Sequence, residues 1–183
     1  MSQTFTSVTS VDEAVVLLND DGTPCGQAPK ATVHTQATPL HLAFSCHVFS
    51  PEGRVLLTRR ALLKTTWPGV WTNSFCGHPM PGEELRDAVH RRALAELGLE
   101  ITDIRLVLPD FRYRAVDASG IVENEVCPVF RAVAVGEPVP NPDEVLQWDW
   151  AEPSDAATAV AATPFVFSPW LVLQNQAGIF TAG

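Results

Sequence analysis

Two carboxylates, Glu123 and Glu125, sit inside an otherwise apolar run, flanked by Ile121-Val122 on one side and Val126-Cys127-Pro128-Val129-Phe130 on the other. In an extended strand, residues two apart point to the same face. A solvated strand edge is the ordinary home of a Glu-x-Glu pair, but these flanks are too apolar for one. Two carboxylates on one face of a buried strand repel each other unless a cation or a shared proton lies between them. Buried charges are paired or coordinate metals. Whatever fold forms must therefore bring a metal or an acid/base group to this strand.

Candidate partners lie elsewhere in the chain. The run Trp71-Thr72-Asn73-Ser74-Phe75-Cys76-Gly77-His78-Pro79 supplies a thiol and an imidazole two residues apart. Of the five histidines, His34, His41 and His78 sit at loop or strand ends near Pro39 or Pro79, where a side chain is readily aimed; His47 and His90 read as ordinary core or surface residues. Three imidazoles with Glu123 and Glu125 make a five-donor set of nitrogen and oxygen, with room for water. That mixture suits Mn²⁺, Fe²⁺ or Mg²⁺ better than a closed tetrahedral structural Zn²⁺ site.

At 183 residues, with 46% apolar and 18% charged residues, the chain is sized for one globular domain. Residues 1–10, polar and Thr/Ser-rich without a basic segment, read as a short disordered leader and not a signal peptide; residues 11–183 read as a single domain. No stretch approaches the roughly 18 apolar residues of a membrane span. The four cysteines, Cys25, Cys46, Cys76 and Cys127, show no CxxC, so free thiols in the cytoplasm are expected, three of them as small core residues. The net charge is −9, yet all 12 Lys and Arg lie between positions 30 and 131. An acidic chain with its basic groups gathered in the middle is poorly suited to long-range nucleic-acid binding. It suits a small anion held locally with the help of divalent metals.

Along the chain, positions 13–18 read as a strand closed by the turn Asn19-Asp20-Asp21-Gly22, and 30–40 as a loop. Strands are expected over 41–49 and 54–59, joined by Ser50-Pro51-Glu52-Gly53. The clearest helix spans 83–97, with Leu85, Ala88, Val89, Ala93 and Leu97 at helical spacing and Gly98 as its stop. Arg92 and Glu96 share one face of it, and an ordinary exposed ion pair is as good a reading as a functional one on composition alone. Strands follow over 106–116 and 121–135, then a Pro-rich loop, a short strand at 147–150 and two helices, the last capped by Ser168 with Pro169 first. The class is α+β, a mainly antiparallel core flanked by helices.

The spacing Gly77-x5-Glu83-x7-Arg91-Arg92-Ala93-Leu94-Ala95-Glu96-Leu97-Gly98-Leu99 resembles the Nudix box, a loop–helix–loop motif that presents carboxylates to a metal-bound diphosphate. It departs from the usual pattern, Arg91-Arg92 standing for Arg-Glu and Ala95-Glu96 for Glu-Glu, which removes two carboxylates that hold hydrolytic metals. Further segments narrow the likeness: Arg59-Arg60-Ala61, Trp67-Pro68-Gly69-Val70-Trp71-Thr72-Asn73-Ser74, Cys76-Gly77-His78-Pro79, Asp110-Phe111-Arg112-Tyr113-Arg114 and Gly120-Ile121-Val122-Glu123-Asn124-Glu125-Val126. Together, in this order and over about residues 13–170, they resemble type 1 isopentenyl diphosphate isomerases of the Nudix superfamily.

That resemblance implies a Nudix-like fold and two metal sites. His34, His41, His78, Glu123 and Glu125 are implied to bind Mn²⁺ (or Zn²⁺), and Glu96, with the backbone carbonyl of Cys76, a Mg²⁺ at the diphosphate. It also implies that Lys30, Arg60, Lys64 and Arg92 bind the diphosphate, that Trp170 faces the hydrocarbon, and that Tyr113 hydrogen-bonds near Glu125. The reaction implied is interconversion of isopentenyl and dimethylallyl diphosphate through a tertiary carbocation, with Cys76, Glu125 and Tyr113 as the proton-transfer groups and no flavin or nicotinamide. A small-molecule substrate, no nucleic-acid or membrane partner, and a monomer or homodimer are expected. Two weaker readings are a nucleoside diphosphate hydrolase and a metal-stabilised binding module without catalysis.

Overall fold

The computed structural model of the chain describes residues 13–181; the expected leader, 1–10, lies outside them. In chain order come β1 Ala14–Leu18, β2 Pro24–Pro29, the single-turn α1 Lys30–Val33, β3 His41–Leu42, β4 Phe44–Phe49, β5 Val55–Arg60, β6 Trp71–Thr72 and β7 Phe75–Gly77. After them run α2 Leu85–Leu97, β8 Glu100–Leu108, β9 Arg112–Val116, β10 Val122–Val126, β11 Val129–Val135, β12 Val145–Ala151, α3 Pro153–Ala162 and α4 Pro169–Gln176. They form a five-stranded sheet in the order β2-β1-β3-β10-β9 and a seven-stranded sheet with the path β12-β5-β4-β11-β8, to which β6 and β7 attach. This is the α+β arrangement the sequence predicts, mostly antiparallel. Among the described residues no helix is long and apolar enough to cross a membrane.

Two strands change sheets side by side. β3 pairs with β10 in parallel in the first sheet, and β4 with β11 in parallel in the second. The crossing is held by Ala43 N donating to Val126 O at 2.9 Å and Ser45 N to Pro128 O at 3.1 Å. Each of the long strands expected over 41–49 and 121–135 is therefore two strands, one in either sheet. Pro128, which has no N–H to give a ladder, stands in the second break.

The second sheet is covered on both faces. β4 alternates: Phe44, Cys46 and Val48 pack with Phe130, Val89, Ala93 and Leu97 beneath α2, while Ser45, His47 and Phe49 face α4. Val55, Leu57 and Val129 meet Ala156, Val160 and Leu171 of α3 and α4. Burying a side chain such as Phe44 or Leu97 stabilises the fold by roughly 1.5–3 kcal/mol relative to leaving it in water. The buried stripe of α2 is Ala88, Val89, Arg92, Ala93, Glu96 and Leu97, so one ion pair rides on the core-facing side. Gly98 closes α2 at φ +56, its N–H bonding the Ala93 and Leu94 carbonyls. Ser168 accepts from Leu171 N and Pro169 opens α4, as expected.

Several boundaries differ from expectation. The loop over 30–40 begins with the turn of helix α1. α2 starts at Leu85 instead of Glu83, because Glu83 is engaged in the preceding turn, accepting from Met80 N and pairing with Arg91 at 2.8 Å each. The strand expected over 106–116 breaks at Pro109–Phe111, and β8 starts earlier, at Glu100, pairing with β11. β2, partner of β1 in a hairpin, has Pro and Gly at three of its six positions and little strand signature. Cys25, expected among the core thiols, is exposed on it.

Gly77 sets how closely α2 lies on the second sheet. A Cβ there would stand 2.7 Å from Arg92 Cγ and 2.8 Å from Cζ of the fully buried Phe44. Gly77→Ala is expected to destabilise the chain by about 1–3 kcal/mol, the ordinary cost of overpacking, read as a lowered urea midpoint at unchanged slope. An unaltered midpoint would show that α2 yields without cost.

Candidate active site

Strand register assembles one wall of the site. Glu125 on β10 stands opposite His41 on β3 and opposite Tyr113 on β9, so the three form one row across three strands and share a face. Glu123, two residues before, lies on that face too. The segment after α1 runs alongside, Val122 N donating to Thr35 O at 2.8 Å, and brings in His34. The other wall belongs to the second sheet: β7 pairs with β4, Cys76 opposite Ser45, and His78 follows directly. A cavity of about 340 Å³ opens between them, within the range of small-ligand sites.

Three imidazoles crowd together, with ring centroids 5.1–5.6 Å apart. One donor atom from each of His34, His41, His78 and Glu125 lies within 4.8 Å of all the others. His41 Nδ1 bonds the Pro39 carbonyl at 2.9 Å, which fixes a proton there and turns a bare Nε2 inward in the neutral ring. That nitrogen lies 3.2 Å from His78 Nε2 and 3.4 Å from Glu125 Oε1. His34 Nε2 and Glu123 Oε2 are 3.1 Å apart, and both are buried without a hydrogen bond. Acceptor atoms converging in this way repel unless a proton or a cation joins them, and the mixed nitrogen and oxygen set fits a divalent metal. Burial pushes the Glu125 carboxyl up, but His41 and His78 outweigh it and hold the carboxyl well below its ordinary range. Burial lowers His41, yet Glu125 beside it raises it overall; burial lowers His78.

Behind Cys76 runs a buried relay of hydrogen bonds. His47 Nε2 meets Gln174 Oε1 at 2.8 Å; because an amide oxygen only accepts, that nitrogen carries the proton. Gln174 Nε2 then donates to Ser45 Oγ at 2.9 Å, leaving the Ser45 hydrogen for a sulfur, Cys76 at 3.2 Å or Cys127 at 3.5 Å. Burial, only partly offset by Ser45 and Asn73, pushes the Cys76 thiol up to about 12. Asn73 Oδ1 accepts from Trp170 Nε1 at 2.9 Å and from Cys76 Sγ at 3.4 Å, so one amide locates both side chains. Trp170 is buried at the same cavity, with Trp67 edge-on at 5.4 Å and Tyr113 at 5.7 Å. Burial, followed by Glu125, raises the Tyr113 phenol well above its ordinary value. Tyr113 is the cross-strand neighbour of Glu125, and its ring packs against Phe111 and Trp170.

Charged side chains line the rest of the cavity. Lys30 pairs with Glu13, Lys64 with Glu144, and Arg92 with Glu96 at 2.7 Å and Glu144 at 3.4 Å. The Arg92–Glu96 pair is buried, so the exposed ion pair weighed from composition is not what forms: the stripe that buries Val89 and Ala93 also turns these two inward. Arg60 is held by the Thr66 carbonyl and lies 5.4 Å over the Trp170 ring. Burial pushes Glu144 up, but Lys64 and Arg92 bring it down to about 2. Burial and Arg92 together lower Lys30.

Every candidate from the sequence therefore meets at one site: twelve of the thirteen line the cavity, and His41 sits just behind them, fully buried. His47 and His90 stay out of it, one in the core and one exposed. Sequence reasoning missed Glu144, Thr66 and the Ser45–Gln174 relay. Glu144 lies 80 residues from its lysine and Gln174 lies 129 from its serine, separations at which no local pattern exists.

Comparison with known proteins shows the family and the fold. The NUDIX domain family matches residues 39–171. Solved structures share the fold: a Deinococcus radiodurans protein, 18% identical, superposes with a TM-score of 0.69 over 90% of this chain and 98% of its own. The MutT protein of Methanosarcina mazei Go1, 16% identical, gives 0.57 over 77% and 96%. Much nearer in sequence are proteins named isopentenyl-diphosphate Delta-isomerase. That of Clavibacter michiganensis subsp. michiganensis is 66% identical over 162 residues, 88% of this chain and 84% of that one. That of Agromyces mediolanus is 62% identical over 171 residues, 93% and 83%. The chain belongs to the isopentenyl-diphosphate Delta-isomerase family of Nudix proteins.

The relay behind Cys76 has a consequence for acid stability. Burial, against Gln174, lowers His47 from 6.5 to about 4. Between those values the unfolded chain binds a proton that the folded chain refuses, so stability falls as pH drops from 6.5 towards 4. The fully buried group accounts for at most about 3 kcal/mol at 1.36 kcal/mol per unit. Urea unfolding of the parent is expected to lose stability over this window more steeply than that of His47→Gln, which keeps a donor for Gln174. Parallel curves would rule this out.

Proposed function

We propose that this chain interconverts isopentenyl and dimethylallyl diphosphate, by protonating the alkene and removing a proton from C2 through a tertiary carbocation. One observation carries the reading: Cys76 from one sheet and the Glu125–Tyr113 row from the other line a single cavity, with Trp170, packed in one apolar cluster with Tyr113 and Cys76, lining it too. An unactivated alkene is isomerised in this way only if one group gives a proton and another takes one, with water kept away. Because the reaction is reversible, each group is an acid in one direction and a base in the other. Cys76 is one of them; Glu125, with Tyr113 next to it, is the other.

The remaining residues orient and shield. Lys30, Arg60, Lys64 and Arg92 hold the diphosphate, so that the short alkene is fixed by its charged end. Around the cavity these four cations stand against the four carboxylates Glu96, Glu123, Glu125 and Glu144. A polyanion thus finds no net positive charge unless cations accompany it. Mg²⁺ is assigned to Glu96 with the Cys76 backbone carbonyl, and Mn²⁺ (or Zn²⁺) to His34, His41, His78, Glu123 and Glu125. When bound, such ions neutralise the paired carboxylates and the diphosphate. Trp170 presents its π face to the positive charge that develops on C3, an interaction of about 2 kcal/mol when desolvated. Trp67 and Tyr113, packed on Trp170, keep water from trapping that charge. No hydride moves, so neither flavin nor nicotinamide is required.

Incubation with isopentenyl diphosphate, Mg²⁺ and Mn²⁺, without flavin, is expected to yield dimethylallyl diphosphate by proton NMR. Cys76→Ala is expected to lower turnover by on the order of 10²–10⁴-fold while still binding inorganic pyrophosphate. Release of phosphate instead of isomerisation would favour a hydrolase, and near-parent turnover in Cys76→Ala would remove the thiol from the chemistry.

A further inference from the structure

The two oxygens of Glu123 are treated differently. Oε1 accepts a hydrogen bond from Thr66 Oγ1 at 2.8 Å. Oε2 makes none, although it is buried and lies 3.1 Å from His34 Nε2. Thr66 is itself buried and lines the cavity. A carboxylate only accepts, so the hydroxyl hydrogen is committed to Glu123. Its lone pairs face Arg60 Nη2 at 3.4 Å, and its backbone carbonyl accepts from Arg60 Nε and Nη2 at 3.1 and 2.9 Å.

The turn that carries Thr66 is fastened on its other side too. Trp67 has φ +43, a left-handed conformation that is uncommon for so bulky a residue, and its N–H donates to Asp117 Oδ2 at 2.8 Å. Asp117 lies in the turn that leads into β10. Adjacent residues of one loop are thus tied to Glu123 on β10 and to the turn before that strand.

We propose that Thr66 is a positioning residue for the metal site: its hydroxyl fixes the rotation of the Glu123 carboxylate so that Oε2 alone is turned towards His34, one of the four converging donors. The same residue, through its carbonyl, sets the guanidinium of Arg60. This rests on the reading of His34, His41, His78, Glu123 and Glu125 as metal ligands. Hydrogen bonds to the far atom of a ligating group typically change metal affinity by about 10–100-fold when removed.

Thr66→Val keeps the shape and loses the hydroxyl; Thr66→Ser keeps the hydroxyl and loses a methyl. With all proteins first stripped of metal, calorimetric titration with Mn²⁺ is expected to give Thr66→Val an affinity about 10–100-fold weaker than the parent, and Thr66→Ser one close to the parent. Thermal unfolding of the metal-free forms should agree among the three, and should Thr66→Val fail to fold, Thr66→Ala takes its place. Parent-like Mn²⁺ affinity in Thr66→Val overturns the proposal, and so does equal weakening in both variants, since the hydroxyl is then not what matters. A parent that takes up no Mn²⁺ overturns the metal reading itself, a result distinct from either.

Discussion

The hydrogen bond from Ala43 to Val126 and its neighbour from Ser45 to Pro128 mark where two parallel strands leave one sheet and enter the other together. The two sheets diverge at that point, and the space between them is the cavity. Residues just before the crossing, His41 and Glu125, belong to one wall; those just after it, Ser45 and its partner Cys76, belong to the other. The backbone that borders the gap has to be hydrogen-bonded if water is to be kept out. Otherwise, unsatisfied amides would draw in water. The shared crossing contributes two such bonds, Ala43 to Val126 and Ser45 to Pro128.

Charge follows from the same arrangement. The overall charge is −9, yet the cavity lining is balanced, with each lysine and Arg92 already in an ion pair. Such pairs keep buried cations from standing unpaired, and they mean that an incoming anion competes with carboxylates already in place. Glu144 is the shared element: it holds both Lys64 and Arg92, and their attraction accounts for its low pKa.

Much of this was legible in the sequence, and the reason differs by residue. Glu123 and Glu125 stood out because burying two like charges is costly enough to demand an explanation. His34, His41, His78 and Cys76 followed from their setting at chain breaks, and the order of the motifs narrowed the family. The breaks at Ala43 and Cys127–Pro128 were not legible, since a strand that changes sheets keeps an apolar run on either side and looks continuous. β2 was hidden because it is an exposed edge held by its hairpin alone. Glu144, Thr66 and Gln174 are ordinary residues in ordinary contexts, and only their three-dimensional neighbours distinguish them.

The last helix is short, yet it supplies both Trp170 and Gln174, so the aromatic wall and the far end of the thiol's hydrogen-bond relay arrive together and late. A nascent polypeptide emerging from the ribosome has its three clustered histidines, its two β10 carboxylates and its basic cluster long before this helix follows. Until residue 174 is docked, Ser45 has no amide to receive from. The thiol's hydrogen-bonded surroundings are thus completed only when a segment made long after Cys76 folds back against β4.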